Sequence, residues 1–259
     1  MNRRDLIDAW KHEERQPFAG WDFSHLDGRM VEEQPPWSYL ERAAALMRQS
    51  SALLDMGTGG GERLLALRAH WPEAVVVTEA YPPNVTLAGA RLGPLGVGVV
   101  RVPLRRDGGM PFADGAFDLV LNRHSGLNSA EVARILAPGG VFLTQQVHGL
   151  WAQDLLAEFG AVPQWPDATP AYDVPRLEAA GLDMENVDVW QGDLIFHDVG
   201  AIVYYLKAVP WLVPGFSVKT HMDTLMRLEG ELQRAGALVF EARTYLIEAK
   251  KAGWARGEH

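Results

Sequence analysis

The sequence contains no cysteine and no long apolar run. Without cysteine, the chain has no disulfide bond, thiolate metal ligand or cysteine nucleophile. A membrane-spanning helix needs ~20 apolar residues, whereas the longest candidate, which starts at Val199, is interrupted by Lys207 and Pro210. The first 18 residues also lack the apolar stretch of a signal peptide. We therefore expect a cytoplasmic protein that does not enter a membrane.

The composition indicates a globular protein with a substantial core. The 259 residues are 47% hydrophobic and 22% charged, which is typical of folded domains. The formal net charge of −9 repels phosphate backbones, and this argues against nucleic-acid partners unless a local basic patch reverses the sign. The sequence shows no cluster of metal-ligand residues, so we expect no metal.

Two regions of the chain differ in hydrophobic pattern. Residues 1–50 contain two helical patterns, and these predict an N-terminal helical cap. Across residues 51–259, short Val/Leu runs alternate with helical segments, which predicts a single globular domain. Continuous apolar runs are typical of strands buried on both faces of a parallel sheet. The fold class predicted is therefore a doubly wound, Rossmann-like α/β fold.

A glycine-rich loop follows the first of these apolar runs, in "ALLDMGTGGGER" from Ala52 to Arg63. In a doubly wound sheet the first strand–helix turn touches the ligand, and glycines let the backbone come close. The N-terminus of the next helix offers free N–H groups. Glu79 ends the second predicted strand, 20 positions after Gly59 (79 − 59). An acid at this place can accept hydrogen bonds from the hydroxyl groups of a ribose. The pattern therefore predicts an adenosine-containing ligand.

Two residues in the loop argue against a nicotinamide dinucleotide. The dinucleotide pattern G-x-G-x-x-G requires glycine at position 62 or 64, and the sequence has Glu62 and Leu64 there. An acid is also unfavourable beside a pyrophosphate. Asp55, two residues before the first glycine, instead suits a ligand that carries an ammonium group, such as S-adenosyl-L-methionine.

Four ordered segments carry a family resemblance: "LLDMGTGGG", "VTEAYPPN", "MPFADGAFDLVLNRH" and "EVARILAPGGVFLTQQV". They resemble the successive motifs of class I S-adenosylmethionine-dependent methyltransferases, in particular the type 11-like members. The ending "EARTYLIEAKKAG" is similar to the last sheet hairpin of that family. The resemblance implies a seven-stranded sheet whose last strand is antiparallel.

The resemblance also implies which residues hold the cofactor. The methionine part would be lined by Asp55, Gly57, Thr58 and Gly59. Glu79 would hold the ribose, Ala80 and Tyr81 would flank the adenine, and Asn122 would lie beneath the cofactor. The family often places an acid about five residues before a Pro-Phe pair to meet the adenine amino group. Here Arg106 occupies that position and Asp107 follows it, so both are candidate cofactor-binding residues.

Methyl transfer from a sulfonium is an in-line displacement, so the protein mainly aligns the donor with the acceptor and excludes water. Oxygen acceptors usually also need a base. His124 and His148 each follow a predicted strand and titrate near neutral pH, and His124 is the preferred catalytic candidate. Either histidine could instead only hydrogen-bond a loop. Gln145 and Gln146 are candidates for orienting polar substrate groups.

The favoured hypothesis is a methyltransferase that acts on an oxygen or nitrogen of a small molecule. An RNA or protein acceptor is the first alternative, and it would need a basic groove near the strand ends. Part of such a groove could come from Arg101, Arg105, Arg106 and Arg123. A non-catalytic module that binds S-adenosylmethionine is a second alternative. The oligomeric state stays open.

Overall fold

The computed structural model describes residues 2–18, 22–103 and 108–253. Within these ranges the chain forms nine α-helices and eight β-strands. The helices, numbered α1 to α9 in chain order, are Arg3–Glu14, Tyr39–Met47, Glu62–Ala66, Pro82–Leu92, Ser129–Ile135, Gln153–Glu158, Pro170–Ala179, Val199–Ala208 and Met222–Ala235. The strands, numbered β1 to β8, are Met30–Glu32, Ala52–Met56, Ala74–Glu79, Gly98–Arg101, Phe117–Arg123, Leu136–Val147, Leu182–Phe196 and Leu238–Lys251.

The chain divides into two compact units. The first unit comprises the described residues within 1–35, 148–167 and 190–243, and the second unit those within 36–147, 168–189 and 244–259. Strands β7 and β8 each run from one unit into the other along the chain. That residues 1–50 act as a separate cap stays a prediction.

The sheet of the second unit is mostly parallel. Strand β2 pairs in parallel with both β3 and β5, while β4 joins β3 and β6 joins β5, also in parallel. Strands β3 and β4 therefore lie on one side of β2, and strands β5 and β6, which come later in the chain, lie on its other side. This reversal puts a topological switch point beside the carboxyl end of β2, where ligands bind in such sheets. Strand β8 pairs antiparallel with β6, as the resemblance implied. The α/β Rossmann-like fold is confirmed.

Alternation along the strands gives the second unit a core on each face of its sheet. Leu53 packs in one cluster with Leu119 and Leu143. Leu54, the next residue, packs in the opposite cluster with Phe142. Because successive side chains of a strand point to opposite faces, both faces need apolar residues. The continuous Val/Leu runs in the sequence have this physical origin.

The first unit has its own apolar core, which is rich in aromatic residues. Trp10 of α1, Phe196 of β7 and Tyr204 of α8 belong to one buried cluster. Strand β1 pairs antiparallel with β7, with Met30 opposite Phe196. The described chain therefore has eight strands, one more than the resemblance implied. A strand of three residues is too short for its alternation to be detected in the sequence.

Helix α3 has only five residues. It ends at Ala66 and is followed by a 3-10 turn at Arg68–His70. The Trp71 indole donates a hydrogen bond to the Leu64 carbonyl at 2.9 Å, which satisfies one of the helix's terminal carbonyls from outside the helix. In the described ranges, no helix combines the length and apolar character needed to cross a membrane.

Candidate functional site

The glycine loop begins where β2 ends and has three left-handed glycines. Gly57, Gly59 and Gly61 have φ angles of 68°, 63° and 83°, a region that side chains other than glycine rarely adopt. A Cβ on Gly57 would lie 2.2 Å from the Ser125 hydroxyl oxygen, whereas a Cβ on Gly59 would meet no atom within 4 Å. Gly57 is therefore required for packing against Ser125, and Gly59 borders open space.

Glu79 joins the end of β3 to the glycine loop. Its Oε2 accepts a hydrogen bond from the Gly59 N–H at 2.8 Å, and its Oε1 accepts from the N–H groups of Ala80 and Tyr81 at 2.7 and 2.9 Å. A carboxylate offers about four lone-pair positions, so these three bonds leave acceptor capacity. Glu79 is buried and fixes the spacing between the two strand-end loops.

Asp55 carries a perturbed carboxyl group beside the same loop. Burial raises the pKa of Asp55 to about 6, and the nearby charge of Glu79 adds to the increase. A carboxylate in such a place is stabilised by a cationic ligand. Asp55 is therefore suited to bind an ammonium group, and its role in cofactor binding stays a prediction.

Three buried hydroxyl groups at this loop make no hydrogen bond of normal geometry in the described part of the chain, although the Thr58 hydroxyl lies close enough to Asp55 to lower the pKa of that carboxyl group. They belong to Tyr39, Thr58 and Ser125, and the only other such buried side-chain atom among the described residues is Nε of Arg243. A buried polar group without a partner costs about 1–3 kcal/mol, and each one calls for an explanation. Three at one loop indicate that a polar ligand completes the site. The residues present therefore fit a cofactor with an amino-acid end and a ribose.

Asn122 directs its side chain into the protein rather than outward. It is fully buried; its Oδ1 accepts hydrogen bonds from Thr144 (2.9 Å) and Gln146, and its Nδ2 donates to the Gly126 carbonyl at 3.5 Å. Gln146 Nε2 also donates to the Ser125 carbonyl at 3.1 Å. The Asn122 network therefore holds the turn that follows β5. Through that turn, Asn122 determines where Ser125 lies.

His124 lies in this turn in a strained conformation. Its φ of 52° is left-handed, which is uncommon for a residue other than glycine, and its N–H donates to the Gln145 carbonyl at 2.9 Å. Solvent reaches part of the residue. Desolvation nevertheless lowers its pKa to about 3, and the charges of Arg123 and Arg63 act in the same direction. His124 is therefore a neutral and weakly basic imidazole at physiological pH.

The remaining candidates take varied positions. Ala80 and Tyr81 follow β3 directly, and the Tyr81 side chain is 61% exposed. Arg106 and Asp107 lie outside the described residues. His148 belongs to the first unit, where its Nδ1 accepts a hydrogen bond from the Leu150 N–H at 3.1 Å. This bond is the loop-holding role considered as the alternative for this histidine.

The sequence reading missed several residues that the structure brings to the loop. Tyr39 reaches the charges of Asp55, Arg63 and Arg123 from α2, and Ser125 packs over Gly57. In the sequence, Tyr39 belongs to an aromatic N-terminal segment for which ordinary packing is as good an explanation as a pocket, and nothing assigns it to the cofactor. A tyrosine 16 positions before Asp55 (55 − 39) reaches it only through the packing of the helix on the sheet.

The fold and the loop together are typical of a Rossmann-like domain that binds a nucleoside ligand, and part of the chain matches a known family. A methyltransferase-domain family model matches residues 54–144, all of which fall in the second unit. Demethylmenaquinone methyltransferase of Thermus thermophilus is 29% identical over 173 residues, which are 54% of this chain and 78% of the relative.

Two solved structures share the fold at low identity. A putative methyltransferase from Bacillus halodurans C-125 is 19% identical with a TM-score of 0.57, and the YcgJ protein from Bacillus subtilis is 18% identical with a TM-score of 0.58. Each alignment covers 82% of this chain and 97% of the other. Residues 54–144 of the chain therefore match a methyltransferase domain, and the two solved structures share its fold. The protein is accordingly an enzyme whose cofactor is S-adenosyl-L-methionine.

Proposed function

We propose that this methyltransferase transfers a methyl group to an oxygen or nitrogen of a small molecule, by in-line displacement, in the cytoplasm. The observation that carries the proposal is the convergence of the buried hydroxyls of Tyr39, Thr58 and Ser125 on a loop that also presents Asp55. Such a cluster suits a ligand with both charged and hydroxyl groups. The cluster lies beside the carboxyl end of β2, at the topological switch point of the sheet, where cofactors of this fold class bind.

Each candidate cofactor residue has a distinct role in this proposal. Asp55 binds the ammonium group of the methionine part, and the loop from Gly57 to Gly59 lets the backbone approach it. Glu79 accepts hydrogen bonds from the ribose, while Ala80 and Tyr81 flank the adenine. The role proposed for Arg106 and Asp107 is to meet the adenine amino group. Asn122 lies beneath the cofactor and acts by holding the turn after β5.

His124 contacts the acceptor in this proposal as a neutral imidazole. The cofactor supplies an activated methyl group, so alignment of the two partners is the main task of the protein. A base works best when its pKa lies near the working pH, and the pKa of about 3 for His124 is far below it. His124 is therefore better suited to orient the acceptor by a hydrogen bond than to remove its proton.

Charge and similarity both support a small acceptor. The net charge of −9 disfavours a polyanionic substrate. The relative from Thermus thermophilus is named for demethylmenaquinone, which is itself a small molecule. The acceptor of the present protein is proposed to belong to the same broad class, without being that compound.

The proposal is tested by offering the purified protein S-adenosylmethionine with a ¹³C-labelled methyl group, together with separate small-molecule, RNA and protein fractions of a cell extract. Asp55→Ala serves as the cofactor-site control. We expect label in the small-molecule fraction, with the carbon shift of a methyl group on oxygen or nitrogen, and no label with Asp55→Ala. Label on RNA or protein, or a methyl group on carbon, would contradict the acceptor assignment. Cofactor binding without label in any fraction would favour the non-catalytic module.

A further inference from the structure

Tyr39 is the first residue of helix α2 and one of its most restrained. The preceding Ser38 caps the helix, with its hydroxyl accepting a hydrogen bond from the Glu41 N–H at 3.2 Å. The tyrosine side chain is 8% exposed. Its hydroxyl group makes no hydrogen bond of normal geometry to any described residue, although the backbone of Asn122 lies near. A buried phenol is usually hydrogen-bonded, so this one requires an explanation.

Contacts on both sides of Tyr39 keep α2 in place within the second unit. The Trp37 indole donates a hydrogen bond to Gln145 Oε1 at 3.0 Å. Arg42 forms a bidentate ion pair with the buried carboxylate of Glu248, a geometry that fixes orientation. With the helix held at β6 and β8, Tyr39 cannot easily turn its hydroxyl toward water. The packing of α2 therefore keeps the Tyr39 hydroxyl group buried without a normal hydrogen bond.

Charges of both signs act on this hydroxyl group. Burial and the carboxylate of Asp55 raise the pKa of Tyr39 well above its usual value, whereas the guanidinium groups of Arg123 and Arg63 oppose the increase. The phenol therefore keeps its proton and is available as a donor. An anionic ligand group near Arg123 and Arg63 would lie in a favourable potential. A cationic group beside Asp55 would be similarly stabilised.

We infer that the Tyr39 hydroxyl donates a hydrogen bond to the α-carboxylate of the bound cofactor, between the Asp55 carboxylate and the guanidinium groups of Arg63 and Arg123. The arrangement matches a zwitterionic amino-acid end, with its ammonium group toward Asp55 and its carboxylate toward the arginines. Tyr39 thereby connects helix α2 to cofactor recognition. This inference rests on the cofactor site proposed above.

The test compares two ligands that differ only in the carboxylate. Calorimetric titration with S-adenosylmethionine and with its decarboxylated analogue is carried out on the wild type, on Tyr39→Phe and on Tyr172→Phe. Tyr172 lies beneath the Arg176 guanidinium on α7 and serves as the matched control. For Tyr39→Phe we expect affinity for S-adenosylmethionine to fall 3–10-fold, about the value of one hydrogen bond. Affinity for the decarboxylated analogue should be unchanged.

The thermal midpoint of the ligand-free protein gives a second readout. Because Tyr39→Phe removes an unsatisfied buried hydroxyl, we expect a midpoint equal to or higher than that of the wild type. Equal losses for both ligands, or no loss for either, would overturn the inference. If the wild type itself bound no S-adenosylmethionine, the proposed cofactor site would be at fault instead. Asp55→Ala distinguishes a failure of the Tyr39 inference from a failure of the proposed cofactor site. If the cofactor site is correct, this substitution should lower the affinity for both ligands.

Discussion

The Oε2 atom of Glu79 accepts a hydrogen bond from the Gly59 N–H at 2.8 Å, so the acid at the end of β3 directly sets the position of the glycine loop. The same carboxylate accepts from two further N–H groups, those of Ala80 and Tyr81. One side chain therefore couples the shape of the loop to the groups proposed for the ribose and the adenine.

We expect Glu79→Gln to damage both stability and cofactor affinity. The amide offers one acceptor oxygen, and its NH2 group would face N–H donors. The expected loss is about 1–3 kcal/mol in the free energy of unfolding and at least about tenfold in affinity for S-adenosylhomocysteine. Urea denaturation and calorimetry measure the two. Glu178→Gln, at an exposed position on α7, is the control. Wild-type affinity in Glu79→Gln would rule out the ribose role.

Asp55→Asn should stabilise the ligand-free protein at neutral pH. Because the pKa of Asp55 is raised from 3.8 to about 6 in the fold, the folded state holds this proton more tightly than the unfolded state. The wild type therefore loses stability as pH rises from about 4 to 6. At pH 7.5 the variant should gain up to about 3 kcal/mol, by 1.36 kcal/mol per pKa unit. Near pH 4 the gain should disappear. A gain independent of pH, or one equalled by the exposed Asp183→Asn, would be inconsistent with this explanation.

Acidification should weaken cofactor binding through the same group. An ammonium group is attracted to the ionised form of Asp55, and this form is depleted below pH about 6. Affinity for S-adenosylhomocysteine should therefore fall by up to about tenfold per pH unit below that value. Calorimetry between pH 5 and 8 gives the profile. Asp55→Asn should show weak binding with a flat profile, and a wild-type-like slope in this variant would place the titrating group elsewhere.

Gly57→Ala and Gly59→Ala should separate folding from binding. Both residues have positive φ, so each substitution carries a backbone cost of about 1 kcal/mol. Only at Gly57 does the new Cβ also collide with Ser125, and Gly57→Ala should therefore be the less stable variant. Gly59→Ala should fold but lose cofactor affinity, because its methyl group points into open space at the site. Denaturation midpoints measure the stability of the two variants, and calorimetry measures their affinity for the cofactor. Equal stability and equal affinity in the two variants would contradict the separate roles of Gly57 and Gly59.

His124→Asn should reduce turnover without unfolding the protein. Asparagine tolerates the left-handed conformation better than most residues, so the turn after β5 should persist. If His124 orients the acceptor, kcat/KM should fall about 10–100-fold. The wild-type pH–rate profile should show no inflection from this histidine between pH 6 and 8, because its pKa lies near 3. An inflection in that range that disappears in His124→Asn would instead make His124 a general base.

Local patterns in the sequence were sufficient for the α/β class, for strands β2 and β3 and for the glycine loop. Val/Leu runs indicate strands that are buried on both faces, and glycines indicate positions with positive φ. Both patterns can be recognised in the sequence without knowing which residues pack against them. Strand β1 has three residues and no pattern, and it exists because it pairs with β7. The inward orientation of Asn122 likewise depends on Thr144 and Gln146, which come from a neighbouring strand.

The sequence by itself determined the fold class, the cofactor and the position of the loop, because these depend on residues close together in the chain. Only the tertiary structure decided which polar groups are left without partners and which protonation state a side chain adopts. The charge of Asp55 acts on Tyr39 because of the packing of α2, and the low pKa of His124 arises from desolvation and two arginines. Burial and charge are sums over neighbours in space, and residue spacing along the chain does not contain them.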